Sequence, residues 1–253
     1  AKATITAPYN DVAALEKIFA EQGKDIAAVI VEPVVGNMGV VPPEPGFLEA
    51  IIDLCKKNGA VSIFDEVMTG SRVARGGMQE RAKLRPDMTC LGKIIGGGMP
   101  LAAYGGRRDI MSKVAPIGPV YQAGTLSGNP IAVSAALALV SHLNPAVYET
   151  LEALGARLEK GLNEGAQKAG LDVCVQRVGS MITPFFTKGP VKTFADAVKS
   201  DTKRFGVWHA AMLARGQYWP PSQYEAAFIS TAHTEAIVDA TIKAAAESFE
   251  AAK

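Results

Sequence analysis

The sequence contains few of the residues that build metal centres and disulfide frameworks. It has 3 cysteines and 3 histidines, with no CxxC pair and no HExxH pattern. Sparse cysteines without a pairing pattern are typical of reduced thiols in an intracellular compartment. The wide spacing of the histidines argues against a catalytic metal. The chain also lacks an initial Met and a signal-peptide apolar core, so we expect a fragment or a processed product.

An excess of charge of either sign is also absent. Lys and Arg number 26 against 25 for Asp and Glu, which leaves a net charge of +1. This balance offers no electrostatic reason to expect a nucleic acid or an anionic membrane as a partner. Apolar runs such as residues 26–31 are far below the ~20 residues of a membrane span. With 48% hydrophobic residues over 253 positions, the composition predicts one or two globular domains.

The first part of the chain alternates short apolar runs with segments of helical periodicity. Helices are predicted over residues 11–22 and around 47–55, the second ending at Gly59. Apolar runs predict buried strands at residues 26–31, 61–64, 88–91 and 101–104. Continuous apolar strands that alternate with helices predict an α/β fold with a mostly parallel sheet.

The second part has a different pattern, and an Asn-Pro pair at residues 144–145 separates the two. Asn129 and Pro130 predict the start of a helix that runs to His142. After the pair come a long helix over 146–169 and strand-like segments at 172–178 and 181–187, followed by helices over 194–214 and 234–252. We therefore predict two domains, residues 1–144 and a smaller α+β domain over residues 145–253.

Two acidic residues, Asp65 and Glu66, directly follow the predicted strand at residues 61–64. Ligands of open α/β sheets bind beyond the carboxyl ends of the strands, so a strand-end carboxylate is a candidate site residue. The alternative is a solvated acid that caps the next turn.

Lys93 lies between two apolar segments in the stretch TCLGKIIGGGMP. Apolar surroundings disfavour a charged amine, and a neutral amine is what Schiff-base chemistry requires. The three glycines that follow allow close backbone approach, but the order GxxxxGK[ST] of a P-loop is absent. The alternative is a surface lysine with its charged end in water.

The segment TLSGNP begins at Thr125 and ends at a predicted helix N-terminus. Backbone N–H groups and the helix dipole attract anions there, so a phosphate site and simple helix capping are both open. A strand-end Asp, a lysine among apolar residues and a loop suited to phosphate together fit pyridoxal phosphate. In such a site the carboxylate pairs with the pyridinium nitrogen and the lysine forms the imine.

The stretches VEPVVGNMG, FDEVMTG, TCLGKIIGGGMPLAAYGG and VYQAGTLSGNP closely resemble the glutamate-1-semialdehyde 2,1-aminomutase family. This family belongs to the class III, fold type I pyridoxal phosphate enzymes, and the resemblance covers nearly the whole chain. It implies part of the cofactor-binding large domain followed by a small C-terminal domain. It also implies conversion of glutamate-1-semialdehyde to 5-aminolevulinate for porphyrin and chlorophyll synthesis, in a plastid stroma or a bacterial cytoplasm.

The resemblance also implies roles for individual residues. Lys93 would form the imine with the cofactor and move protons, and Asp65 would keep the ring nitrogen protonated. Val67 would pack against one face of the ring, and Asn37 would lie near the ring hydroxyl.

Two further roles concern the partner subunit and the substrate. Thr125 would reach the phosphate held by the neighbouring subunit of a homodimer, and Glu225 would lie near the substrate amine. The family's reaction starts from pyridoxamine 5'-phosphate, whose amine passes to the substrate aldehyde. The other amine is then returned to the cofactor.

The sequence departs from the family pattern at two positions and in its extent. Ser71 and Arg75 stand where the family has aromatic residues. Family members begin well before Ala1, so we expect an incomplete chain, whose missing part a separate chain could supply. Two alternatives stay open: a class III aminotransferase with an external amino acceptor, and a diverged inactive relative with a structural role.

Overall fold

The computed structural model describes residues 3–253, which form two compact units. The first unit comprises residues 3–7, 11–33 and 45–144. The second comprises residues 8–10, 34–44 and 145–253. After residue 45, the boundary between the two units falls between Asn144 and Pro145, at the Asn-Pro pair. No sequence pattern indicated that residues 8–10 and 34–44 belong with the second unit.

The first unit contains a four-stranded sheet whose strands follow one another in chain order: β1 (Ala28–Val31), β2 (Val61–Asp65), β3 (Met88–Leu91) and β4 (Ala103–Gly106). The first three strands are parallel, which confirms the predicted α/β class. β4 begins two residues later than the expected strand and runs antiparallel to β3. Parallel strands need a crossover of a dozen or more residues, and here only a 3-10 turn at Lys93–Gly96 intervenes.

The helices of the first unit have local caps at some of their ends. They are α1 (Val12–Gln22), α2 (Phe47–Asn58), α3 (Gly77–Ala82), α4 (Arg108–Met111) and α5 (Pro130–His142). The Asp11 carboxylate accepts the Ala14 N–H at 2.9 Å and starts α1. Gly59 ends α2 at φ 73°, and its N–H donates to the Cys55 carbonyl. These ends are the predicted ones, because caps are local signals.

One side of α2 forms part of the core of this unit. Phe47, Leu48, Ile51 and Cys55 recur at helical spacing and are buried. Burial, reinforced by the negative charge of Asp87, raises the pKa of the Cys55 thiol to about 11. Cys55 therefore behaves as a small apolar residue.

The second unit contains three antiparallel strands and four helices: α6 (Pro145–Ala169), β5 (Cys174–Val178), β6 (Met181–Phe185), α7 (Phe194–Ala197), α8 (Thr202–Ala214), β7 (Ala227–Phe228) and α9 (Glu235–Ala251). The prediction of one helix over residues 194–214 is wrong, because the chain leaves the helix after Ala197. Asp201 then caps α8 by accepting the N–H groups of Lys203 and Arg204.

The core of the second unit is built around aromatic side chains. Trp208 and Phe249 are fully buried and stack with ring centroids 5.5 Å apart. Phe186 and Trp219 also pack against Trp208. Such aromatic groups bury large areas and stabilise beyond that area through their relative geometry.

Within residues 3–253 no single helix is long and apolar enough to cross a membrane. α5 and α6 taken together satisfy the length and composition criteria, although the chain is broken between them.

Candidate active site

The carboxyl ends of β2 and β3 lie side by side in the first unit. Asp65, the last residue of β2, is in register with Cys90 of β3. The next N–H group, that of Glu66, donates to the Cys90 carbonyl at 3.0 Å. The strand-end carboxylate is therefore at the sheet edge where ligands of α/β folds bind.

Asp65 is half-buried at this edge, and one of its two carboxylate oxygens already accepts a hydrogen bond. One of its oxygens, Oδ1, accepts the Val67 N–H at 3.0 Å. The other oxygen, Oδ2, has no hydrogen-bond partner within the described residues 3–253. The Asp65 charge also acts on a residue of β3. The pKa of the Cys90 thiol is raised, mainly by burial and further by the negative charge of Asp65. A fixed carboxylate with one free oxygen is suited to accept a hydrogen bond from a cationic ring nitrogen.

Val67 lies against Gly92, the residue that precedes Lys93 in the chain. A Cβ added at Gly92 would be 3.2 Å from a methyl group of Val67, so Val67 packs directly on the residue before Lys93. The structure thus brings Asp65, Val67 and Lys93 to the ends of two adjacent strands.

The sequence left two interpretations of Lys93 open, a lysine in apolar surroundings and a surface lysine. Lys93 is exposed, which is the second of these. The reason is local, since Lys93 follows the end of β3 and opens the 3-10 turn Lys93–Gly96. Its φ of 50° lies in the left-handed region. That conformation costs a non-glycine residue roughly 1–2 kcal/mol, and such residues cluster at functional sites.

The glycines after Lys93 allow the turn to approach α5. Gly97 has φ 57°, and a Cβ there would lie 2.7 Å from the Ala135 carbonyl oxygen. Only glycine fits this approach without displacing the helix. The close approach that the glycine run allows is therefore made at Gly97, whereas a Cβ at Gly98 would meet nothing within 4 Å.

Glu66 has a role that sequence reasoning did not find. Its side chain is fully buried and accepts hydrogen bonds from Thr69, at 2.8 Å, and from the Met78 N–H, at 2.6 Å. Gln79 donates both its N–H and its side-chain amide to the same carboxylate. Glu66 therefore ties the segment 66–79 to the end of β2, beside Asp65. The sequence places the two acids together but does not show which is buried.

Thr125 lies elsewhere in the first unit, exposed in the turn before α5. Asn129 caps that helix by accepting the Ile131 and Ala132 N–H groups, and Pro130 occupies its first turn. The predicted helix start is confirmed. No hydrogen bond within residues 3–253 joins the Thr125 side chain to Asp65 or Lys93.

The second unit brings Asn37 and Glu225 into neighbouring segments. The Gly39 N–H donates to the Tyr224 carbonyl at 2.9 Å, so the turn that contains Asn37 lies beside the segment of Glu225. Thr183 links both, since its hydroxyl accepts the Val40 N–H and donates to the Glu225 carbonyl. The Glu225 carboxylate accepts the Ala226 N–H at 3.2 Å.

A family model described as Aminotransferase class-III matches residues 2–243. The chain belongs to this family. Lys93, Asp65 and Val67 are therefore candidate site residues of a class III aminotransferase. Within residues 3–253 no group of three or more His, Cys, Asp or Glu side chains is placed to hold a metal ion.

Its relatives include proteins named glutamate-1-semialdehyde 2,1-aminomutase. One from Sorangium cellulosum is 69% identical over 99% of this chain and 57% of its own length. One from Myxococcus xanthus is 56% identical over 98% of this chain and 58% of its own length. The chain thus spans a little more than half of the curated relatives that it matches.

Solved structures of the same fold are also similar. An omega-transaminase from Sphaerobacter thermophilus superposes with a TM-score of 0.92 at 32% identity, over 98% of this chain and 57% of that one. A glutamate-1-semialdehyde-aminomutase from Pseudomonas aeruginosa PAO1, in complex with PMP, gives a TM-score of 0.86 at 26% identity. It matches 96% of this chain and 55% of its own.

Proposed function

We propose that the chain is part of a pyridoxal phosphate-dependent aminomutase that converts glutamate-1-semialdehyde to 5-aminolevulinate. The observation that carries the proposal is the placement of Asp65, Val67 and Lys93 at the ends of β2 and β3. The relatives of that name, up to 69% identical, support the choice of substrate. They come from bacteria, which favours a bacterial cytoplasm over a plastid.

The residues present fit the cofactor. The free Asp65 oxygen can hold a proton on a ring nitrogen, and the exposed Lys93 amine can reach a carbonyl carbon. When bound, the cofactor supplies an electron sink for proton transfer at the substrate carbon. We assign Lys93 the acceptance and return of that proton, because a lysine held at one backbone geometry serves as both base and acid.

The other residues position groups around this chemistry. Val67 offers an apolar wall beside Gly92, and we assign it to one face of the ring. We assign Asn37 to the ring hydroxyl and Glu225 to the substrate amine, and their neighbouring segments in the second unit support a joint role.

A homodimer is part of the proposal, with Thr125 binding the phosphate group held by the partner subunit. The exposure of Thr125 and of the apolar side chains Tyr121, Leu126, Ile131 and Leu137 supports an interface here. A separate chain that contributes the remainder of the relatives' length is a further proposed partner.

Chemical labelling of Lys93 tests the proposal. The protein is treated with pyridoxal phosphate and borohydride, and the modified lysine is identified by peptide mapping. We expect modification at Lys93, its loss in Lys93→Ala, and no change in a Lys113→Ala control, which alters another exposed lysine of the same unit. Modification that maps to a different lysine contradicts the assignment.

The similarity to an omega-transaminase favours a second candidate, an aminotransferase that needs an external amino acceptor. Stoichiometry separates the two. An aminomutase forms 5-aminolevulinate without any 2-oxo acid, whereas the aminotransferase turns over only when a 2-oxo acid is supplied. A protein that binds the cofactor but does neither would instead support a diverged relative with a structural role.

A further inference from the structure

A cavity of about 560 Å³ lies in the first unit between the segment after β2 and the segment before β3. This volume is within the range of small-molecule sites. Its wall includes the apolar side chains of Leu84 and Leu91, the hydroxyl of Ser71, and the cationic side chains of Arg75, Lys83 and Arg85. The mechanism proposed above uses none of these residues.

The cations of this wall have no partners of opposite charge. Within residues 3–253, the side chains of Arg75, Lys83 and Arg85 form no ion pair or hydrogen bond. The cavity's one carboxylate, that of Glu80, accepts the Gly76 N–H. The wall therefore carries three positive charges against one negative charge. Uncompensated cations around a concave surface attract anions.

The cavity is on the other face of the sheet from the Asp65 carboxylate. Asp65 is in register with Cys90, and successive side chains of a strand point to opposite faces. Leu91, in the cavity wall, therefore points away from the face shared by Cys90 and Asp65. A Cβ at Gly70 would lie 2.5 Å from Leu91, which places the segment after β2 over this opposite face.

We propose that this cavity binds a phosphate monoester with an apolar body. Two net positive charges match a phosphate dianion, and a guanidinium can donate two parallel hydrogen bonds to its oxygens. Leu84 and Leu91 provide an apolar surface for the remainder of the ligand. The inference stands apart from the aminomutase proposal, because it involves neither Lys93 nor Asp65.

Phenyl phosphate is a suitable probe, since it combines one aromatic ring with a dianion. Calorimetric titration of the purified protein at pH 8 and low salt should show one saturable site. We expect the dissociation constant to rise about tenfold or more in Arg75→Gln/Lys83→Gln, because two charge-assisted contacts are lost. Benzyl alcohol, which has no charge, should not bind, and benzoate should bind more weakly than phenyl phosphate.

Two controls keep the result specific. Lys203→Gln changes an exposed lysine of the second unit, and Lys93→Ala removes the lysine of the candidate active site. Binding should be unchanged in both. Absence of saturable binding, an equal loss in Lys203→Gln, or a loss confined to Lys93→Ala would each overturn the proposal. If the double variant does not fold, the single Arg85→Gln variant is used, with an expected loss of about threefold.

Discussion

The sheets of the two units differ in how deeply their strands are buried. Every residue of β6 is buried, whereas β1 alternates exposed and half-buried residues and leaves Ile30 62% exposed. Parallel sheets are usually covered on both faces, and the exposed β1 of the first unit departs from that rule. The sheet of the second unit is antiparallel, and its β6 is buried throughout. Packing therefore holds the second unit together, while hydrogen bonds at strand ends position the candidate site in the first.

The largest expected effect is on packing in the second unit. Trp208→Ala removes a fully buried ring and should lower the free energy of unfolding by about 3–5 kcal/mol. Urea unfolding followed by circular dichroism measures it. Val207→Ala, at a position 49% exposed on the same helix, should change the value by less than about 0.5 kcal/mol. Equal losses at the two positions would show that the buried ring of Trp208 stabilises the unit no more than the exposed side chain of Val207 does.

A comparable effect, but on rate, is expected at the strand end of the first unit. Asp65→Asn keeps the shape of the side chain and removes its charge. Rates in single-turnover assays of the proposed activity should fall about 10²- to 10³-fold, because the charge no longer stabilises the protonated ring. The midpoint of unfolding should move little. Asp25→Asn, an exposed acid of the same unit, should keep the parent rate, and an Asp65 variant as fast as the parent contradicts the assigned role.

Glu66 tests whether hydrogen bonds rather than packing hold the site segment. Glu66→Gln places an amide N–H₂ against donors that now meet carboxylate oxygens, at a cost of about 1–3 kcal/mol in unfolding free energy. Glu80→Gln changes an exposed carboxylate with one backbone partner and should cost much less. Hydrogen exchange of the Met78 and Gln79 amides should rise in the first variant only. Unchanged protection there would show that Glu66 does not hold the segment.

The smallest expected effect concerns acid sensitivity in the second unit. Hydrogen bonds from Lys199 and Thr193 lower the pKa of Asp196 to about 2. Because the folded-state pKa is below the ordinary value of 3.8, the stabilisation is complete above about pH 4 and is lost as the pH falls toward 2. Asp196→Asn should remove below about 1 kcal/mol at pH 7, since the ion pair is exposed. The difference from the parent should vanish near pH 2.

Features set by local chemistry were predictable from the sequence. The bounds of β3 and of α5 were predicted as the structure has them, because an apolar run and an Asn-Pro cap are complete signals in themselves. The same holds for Gly59 at the end of α2. The predicted helix around residues 47–55 also indicated the parallel connection from β1 to β2, whereas the helix α3 between β2 and β3 was not predicted.

Features that depend on distant partners were not predictable. The break before α8 involves a distant partner, because the Asp201 N–H donates to the Phe186 carbonyl at 2.8 Å. The exposure of Lys93 follows from where β3 ends, and its apolar neighbours in sequence do not reveal that. Glu66 is buried because Met78 and Gln79 fold back onto it, which no local spacing encodes.

At position 93 the left-handed backbone favours a residue for folding that differs from the residue needed for the proposed reaction. A glycine at φ 50° would remove the steric cost of the Cβ, so the variant that folds best at this position lacks the amine on which the proposed reaction depends. Random variants selected only for heat resistance should therefore accumulate glycine at position 93. Those selected for turnover should keep lysine there and gain stability at other positions.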